Sequence, residues 1–333
     1  MILVTGGAGY IGSHTVLNLL NAGKEIVVFD NLENGHIETI EELQKAGNVK
    51  FVKGDLRNIE DIENVFQKYP ITAVVHFAGY TLVGESVTNP SKYYRNNVFG
   101  TLNLLDTMVK YNCKKIVFSS TCATYGNPNY IPVDEKHPQN PVSPYGTSKL
   151  MVEYMLKEFD TAYGLKSIKL RYFNVAGCDK EGRVGEWHEP ETHLIPNIMK
   201  SIFSQSKTFK IFGNDYNTPD GTCIRDYVNV EDLAEAHRLA LEYLDIQNKS
   251  NVFNLGTEQG DSVKKIFDTC EKVLNKKIDV EVVERRDGDA EALYANSKKA
   301  KTILKWRPAR TIEESIQSAY KWEEKLHNII KKG

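Results

Sequence analysis

The apolar run Ile2-Leu3-Val4-Thr5 passes straight into Gly6-Gly7-Ala8-Gly9-Tyr10-Ile11-Gly12, and few folds tolerate that junction. A β-branched run reads as a strand and the apolar spacing over 11–21 reads as a helix, so the glycines must turn the backbone within a few residues. Gly6, Gly9 and Gly12 remove side chains at the turn, at the helix start and at the contact between helix and strand. Backbone N–H groups and the positive end of the helix then face one point, which suits a pyrophosphate. The order strand, glycine loop, helix makes this short pattern a dinucleotide fingerprint. Gly6, Gly9, Tyr10, Ile11 and Gly12 are its candidate residues.

The alternation continues along the first half. Residues 25–29, 49–53, 73–77, 115–119 and 167–171 are short β-branched runs, and 59–68, 91–111 and 145–163 carry apolar residues at helical spacing. This predicts the α/β class, with a doubly wound parallel sheet of Rossmann type. From about residue 176 the pattern breaks into Gly, Pro and charged residues. Residues 1–175 are therefore expected to form the dinucleotide-binding domain and 176–333 a smaller mixed α/β domain that takes the substrate. A further strand and helix within 225–250 are expected to rejoin the first domain, so that the two interleave.

Asp30 ends the second β-branched run, 18 residues after Gly12. There a carboxylate can accept both hydroxyls of an adenosine ribose and repel a 2′-phosphate. No Arg or Lys lies between Asp30 and Gln44, so NAD is expected rather than NADP. The 42 Lys+Arg and 44 Asp+Glu give a net charge of −2, with no single-sign run to bind nucleic acid or an anionic membrane. Five cysteines without a Cys-x-x-Cys pair fit free thiols in a reducing compartment. With no charged leader and no long apolar stretch, a cytoplasmic protein is expected. The eight histidines do not cluster with acids or thiols in the sequence, and no metal is expected. His188 and His193 are the only close pair, read as surface loop histidines.

Tyr145-Gly146-Thr147-Ser148-Lys149 places a phenol and an ammonium one helical turn apart on one face. A tyrosine of pKa near ~10 needs such a neighbour to act as a base at neutral pH. Thr121, in the run Phe118-Ser119-Ser120-Thr121-Cys122-Ala123, leaves an apolar strand at the edge where open α/β sheets bind ligands. His76-Phe77-Ala78-Gly79 ends the preceding strand with small residues, and Asn96 is a polar residue amid packing residues of a long helix.

Together with Gly84-Glu85-Ser86, Leu170-Arg171-Tyr172-Phe173-Asn174, Ile211-Phe212-Gly213-Asn214 and Arg225-Asp226-Tyr227, these motifs resemble the nucleotide-sugar epimerases of the extended short-chain dehydrogenase/reductase family, over nearly the whole chain. The resemblance implies inversion of the 4-hydroxyl of a UDP-hexose through a 4-keto sugar, with NAD reduced and reoxidised in place. It implies Tyr145 as base, Thr121 as hydrogen-bond donor to the sugar oxygen, and Lys149 tuning Tyr145 and holding the cofactor ribose. Around the cofactor it adds Asn31, Leu32, Asn34 and Gly35 beside Asp30, then Asp55, Leu56, Phe77, Ala78, Gly79, Thr81, Asn96 and Phe173, with Thr121, Tyr145 and Lys149 shared. Around the UDP-sugar it implies Tyr172, Phe173, Asn174, His193, Leu194, Lys210, Ile211 and Phe212, with Arg225 and Arg286 on the diphosphate. It further implies a homodimer built on helices 91–111 and 145–163.

Rival readings are a sugar-nucleotide dehydratase or decarboxylase and a catalytically silent NAD-sensing binding protein. The first commonly places an acid just after the Thr, where this chain has Cys122 and Ala123; the second tends to lose the Tyr or the Lys, and this chain keeps both. Two departures stand out. Gly79-Tyr80-Thr81 lacks a lysine common in bacterial relatives, which predicts looser NAD retention. Leu293, adjacent to Tyr294, aligns with a position where relatives restricted to plain hexoses carry Tyr, which predicts room for UDP-N-acetylglucosamine and UDP-N-acetylgalactosamine.

Overall fold

The computed structural model describes residues 1–203, 208–285 and 290–330. Seven parallel strands form the central sheet: β1 Ile2–Thr5, β2 Ile26–Asp30, β3 Val49–Lys53, β4 Ala73–His76, β5 Lys115–Thr121, β6 Lys166–Tyr172 and β7 Asn251–Leu255. Their spatial order is β7-β6-β5-β4-β1-β2-β3. The winding therefore reverses between β1 and β4, which opens a crevice at their carboxyl ends, where doubly wound sheets bind ligands. Thr5 and His76 are register partners there.

Strand residues alternate between two cores, and the sheet is buried on both faces. Val4, Val28, Val75 and Val117 pack under helices Tyr10–Asn21 and Val230–Gln247. Leu3, Val27, Val74 and Ile116 pack under helices Ile59–Lys68, Gly100–Lys110 and Pro144–Tyr163. A third core joins Ile198, Met199, Phe209, Phe267, Ile316 and Trp322. No described helix is long and apolar enough to cross a membrane.

β1, β3 and helix Ile59–Lys68 fall where the sequence pattern puts them, and most other predicted elements shift by a residue or two. The strand expected at 225–230 is different. It splits into Ile224–Arg225, which pairs with Asp261–Ser262 and Ala292–Leu293, and Tyr227–Asn229, which pairs with Asn174–Ala176. Neither piece joins the central sheet. The helix that follows does pack on its core, through Leu233, Ala236, Ala240 and Leu244, and leads into β7, an unforeseen seventh strand. The helix expected over 91–111 is also interrupted: a π turn at Tyr94–Phe99 separates Pro90–Tyr93 from Gly100–Lys110.

Candidate active site

Backbone sterics shape the crevice at β1. Gly6 has φ 72°, and a Cβ there would stand 2.6 Å from the amide nitrogen of Ala78. A Cβ on Gly12 would meet the Gly6 carbonyl oxygen at 2.2 Å. Only glycine fits either position. Phe77 and Ala78 both donate backbone N–H bonds to the Thr5 carbonyl, at 3.0 and 3.1 Å, so the chain leaving β4 crosses the glycine turn. Helix Tyr10–Asn21 starts at Gly9 with no side-chain cap and no acid in its first turn. Its orphan N–H groups and positive end suit a phosphate.

Asp30 lies buried at the end of β2, its carboxylate accepting N–H groups of Ala8 at 3.0 Å and Leu32 at 2.9 Å. Asn31 donates to Asp55 at 3.1 Å, and Arg57, whose hydrogen bonds hold the Asp55 carboxyl down to about 2, also reaches Glu33 at 3.1 Å. The cation at this edge is thus already neutralised by two carboxylates, which suits an NAD ribose and disfavours a 2′-phosphate. Gly35 runs against Ala8 and the Asp30 carboxylate, where a Cβ would stand 2.7 Å from the Ala8 Cβ. Leu56 is buried under Gly100, and Asn34 is exposed in the turn beside Gly35. Thr81 is exposed, and the neighbouring Tyr80 hydroxyl donates to Glu33. That bond ties the loop after β4 to the loop after β2.

The carboxyl end of β5 meets helix Pro144–Tyr163 in three successive contacts. Lys149 Nζ donates to the Ser119 carbonyl at 2.9 Å, Ser120 Oγ donates to Glu153 at 2.6 Å, and Thr121 hydrogen-bonds Tyr145. Tyr145, Lys149 and Glu153 recur every four residues on one helical stripe. Lys149 is buried and also faces the Phe118 ring, 5.0 Å from its centroid. Burial lowers its pKa to about 8. Burial raises that of Tyr145, and the nearby Tyr172 adds to the rise while the Thr121 hydroxyl opposes it. Thr121 Oγ1 accepts the Ala123 N–H at 3.1 Å, which leaves the hydroxyl proton for the Tyr145 oxygen.

Several supporting residues escaped the sequence analysis. Glu153 and Arg171 form a buried pair with bonds of 2.9 and 2.5 Å, and Arg171 continues through the Tyr125 hydroxyl at 2.9 Å to Asn254 at 2.7 Å. Asn97, beside the expected Asn96, is the better connected of the two. Its amide brackets the backbone of Tyr80 at 2.9 and 3.0 Å and donates to Ser148 at 3.2 Å, while Asn96 donates to Asn97 at 3.1 Å. The adjacent amides point differently because they lie in the π turn, which re-aims side chains by one position. His76 is buried between Thr5 at 2.6 Å and Thr101 at 2.8 Å. Thr101 spends its proton on the Asn97 carbonyl, so His76 carries its proton on Nε2 and stays neutral, its pKa lowered to about 3 by burial.

The residues expected on the substrate side spread over several elements. Tyr172 shares a 2.5 Å hydrogen bond with Ser119. Phe173 packs with Tyr125, Val133 and Ala295, against Cys122 and Leu293. Asn174 opens the strand paired with Tyr227–Asn229, Leu194 opens helix Leu194–Phe203, and Lys210, Ile211 and Phe212 lie in strand Phe209–Phe212. Arg225 donates to the carbonyls of Ile224 and Ala290 at 2.8 and 2.7 Å. Leu293 packs toward Cys122, whereas the Tyr294 ring lies against Gly260, so Leu293 is the one that faces the wall containing Phe173. Arg286 lies outside the described residues. His188 and His193 lie in a loop, as expected, and His193 is exposed, but both meet the buried Glu186 carboxylate. The expectation that they do not cluster with acids is corrected by the fold of 185–193, which brings Glu186 and Glu191 against them.

The Lys149 pKa has a stability consequence. Its folded value of about 8 lies below its ordinary 10.5, so folding the charged ammonium is penalised below pH 8, and the penalty vanishes as pH rises to 10.5. In cofactor-free protein, wild type should gain about 3 kcal/mol of unfolding free energy relative to Lys149→Met over that interval. Parallel urea-unfolding curves at both pH values would contradict this.

A family described as GDP-mannose 4,6 dehydratase matches residues 3–319. A UDP-glucose 4-epimerase of Halalkalibacterium halodurans is 48% identical over 96% of this chain and 95% of its own length. The crystal structure of UDP-glucose 4-epimerase from Bifidobacterium longum in complex with NAD+ and UDP is 39% identical, with a TM-score of 0.93 over 97% of this chain and 98% of that one. The UDP-Glc/GlcNAc 4-epimerase of Campylobacter jejuni is 41% identical, with a TM-score of 0.86 over 97% and 99%. Crevice, buried tyrosine and lysine, and near full-length likeness agree: the chain belongs to the UDP-glucose 4-epimerases of the extended short-chain dehydrogenase/reductase family.

Proposed function

We infer that the chain is an NAD-dependent isomerase that interconverts UDP-galactose and UDP-glucose by transient oxidation at C4. The observation that carries this reading is the contact of Tyr145 and Lys149 with Thr121 and Ser119 at a strand end that offers no free carboxylate among the described residues. Two acids of this region are already engaged: Glu153 by Arg171 and Ser120, and Asp226 by the N–H groups of Thr257, Glu258 and Ala295. Elimination of water needs such an acid or base, so epimerisation is favoured over the dehydratase reading.

Bound NAD supplies the acceptor that takes the C4 hydrogen and returns it. The protein's own groups handle the proton and the geometry. Tyr145 takes the 4-hydroxyl proton and gives it back. Because burial opposes its ionisation, the Lys149 ammonium and the Thr121 hydroxyl must favour the phenolate. The Ser119 carbonyl fixes Lys149 where its charge serves both Tyr145 and a ribose. Gly6, Gly9, Tyr10, Ile11, Gly12 and Asp30 hold the dinucleotide, with the loops 31–35, 55–56 and 77–81 around it. Asn96 acts at the cofactor site, and Asn97 positions Tyr80. At the other end Tyr172, Phe173, Asn174, His193, Leu194, the strand at 210–212, Arg225 and Arg286 anchor UDP, so the sugar is free to turn over between oxidation and reduction. Most of residues 1–175, with the helix and strand that return over 230–255, serve the cofactor, and most of the remainder serves the UDP-sugar.

The exposed Phe99, Leu102, Met151 and Tyr154 lie on the two helical segments expected at a dimer interface, and support a homodimer. The five free cysteines support a cytoplasmic setting. Leu293 beside Phe173 puts a leucine where a tyrosine would narrow the sugar pocket, which supports acceptance of N-acetylated sugars.

Purified protein given UDP-galactose and no added NAD should form UDP-glucose, and Tyr145→Phe should lower kcat by about 100- to 10,000-fold. An inert wild type, or a dehydrated keto-sugar as product, overturns the reading. Leu293→Tyr should abolish turnover of UDP-N-acetylglucosamine while leaving UDP-glucose within a few fold; equal turnover of the acetylated sugar by both proteins contradicts the pocket assignment.

A further inference from the structure

The loop that ends in His193, assigned above to the UDP end of the site, builds a second cluster of chemistry. Glu186 is pinned from both sides: its carbonyl accepts the Trp322 indole N–H at 2.8 Å, and a Cβ on the preceding Gly185 would stand 2.3 Å from the same indole ring. Its carboxylate, with a side chain 3% exposed, accepts a hydrogen bond from His193 Nδ1 and lies 3.3 Å from His188 Nδ1. Glu191 approaches the two imidazoles from another side. Its Oε1 accepts the N–H groups of Thr192 and His193, each at 2.8 Å, and lies 3.5 Å from His193 Nδ1. Its Oε2 is buried without a hydrogen-bond partner, 3.7 Å from His188 Nδ1. One ligand atom from each of the four residues lies within 4.8 Å of all the others.

We propose that Glu186, His188, Glu191 and His193 bind one divalent transition-metal ion of the zinc type. Two imidazole nitrogens and two carboxylate oxygens are a borderline donor set, which favours zinc-like ions over magnesium or calcium. Tetrahedral bonds of about 2.0–2.1 Å place ligands roughly 3.3–3.4 Å apart, close to the 3.3 and 3.7 Å that separate His188 Nδ1 from Glu186 and from Glu191 Oε2. The His193–Glu186 hydrogen bond must open to admit an ion. The orphan Glu191 Oε2 is the oxygen that gains a partner.

An imidazole binds a metal only in its neutral form, so binding releases any proton that His188 or His193 carries and affinity rises with pH. The ion would stiffen the strip that lies over the cofactor edge. Trp187 stacks on His36 with ring centroids 3.7 Å apart, and His188 meets the Tyr10 ring edge-on at 6.3 Å. A structural ion here would hold 185–193 against the loops of the dinucleotide crevice and fix His193 in place.

The full chain, stripped with chelator and dialysed, can be titrated with zinc chloride alone by calorimetry in two buffers of different ionisation enthalpy, and with cobalt chloride by absorbance. The expected result is one ion per chain, proton release, a raised melting temperature, and tetrahedral cobalt bands without a thiolate charge-transfer band. His188→Gln and Glu191→Gln, each checked for wild-type circular dichroism, should weaken zinc by at least about tenfold. No saturable binding, a thiolate band, or affinity unchanged in both variants would overturn the proposal. The cobalt bands are read on wild-type protein, so the test stands even if a variant fails to fold.

Discussion

Glu153 and Arg171 meet where water is excluded, and the active site hangs from that contact. An ion pair at such a depth is costly to break, by about 3–5 kcal/mol when one partner is removed, because the survivor is left charged and unsolvated. Each therefore holds the other firmly. Arg171 belongs to β6 and Glu153 to helix Pro144–Tyr163, and Ser120 of β5 adds its hydroxyl to the same carboxylate. The helix is locked in rotation and in register against two strands. One turn back Lys149 reaches Ser119, and one turn further back Tyr145 reaches Thr121.

The same burial explains the division of labour in the site. Removal from water raises the Tyr145 pKa and lowers that of Lys149 only to about 8, so at neutral pH the phenol is uncharged by default while the ammonium keeps its charge, and Tyr145 depends on that neighbour. A base that ionises only when a positive partner is in place is suited to a reaction that must begin and end with the same proton inventory. The pairing of Glu153 with Arg171 has a second effect, since it withdraws the one acid on the catalytic stripe from chemistry. The site is left with proton transfer and redox, and without a group to expel a leaving hydroxyl.

Legibility in the sequence followed the range of the interactions. The glycine turn, Asp30, Thr121 and the Tyr145–Lys149 spacing are local patterns, and residues adjacent in the chain dictate their geometry. β1, β2, β4 and β5 were legible because a strand buried on both faces is a continuous apolar run, whereas β3 and β6 were legible from β-branched and aromatic residues interleaved with polar ones. β7 was missed because Asn251-Val252-Phe253-Asn254-Leu255 carries two asparagines, one of which is committed to Tyr125 and the Val133 carbonyl. Asn97 was passed over for Asn96 because a π turn shifts which side chain faces inward. The convergence of Glu186, His188, Glu191 and His193 depends on a loop folding back on itself and on Trp322 more than a hundred residues away, which no window of sequence reveals.

The central claim is that one hydrogen leaves C4 and returns to C4 of the same sugar within a closed site, while Tyr145 handles only the proton. UDP-galactose carrying deuterium at C4, turned over in ordinary water with excess unlabelled NAD, tests this directly by mass spectrometry of the UDP-glucose formed. Full retention of deuterium in the product is predicted, and loss of the label to solvent or to the free NAD pool would contradict the account.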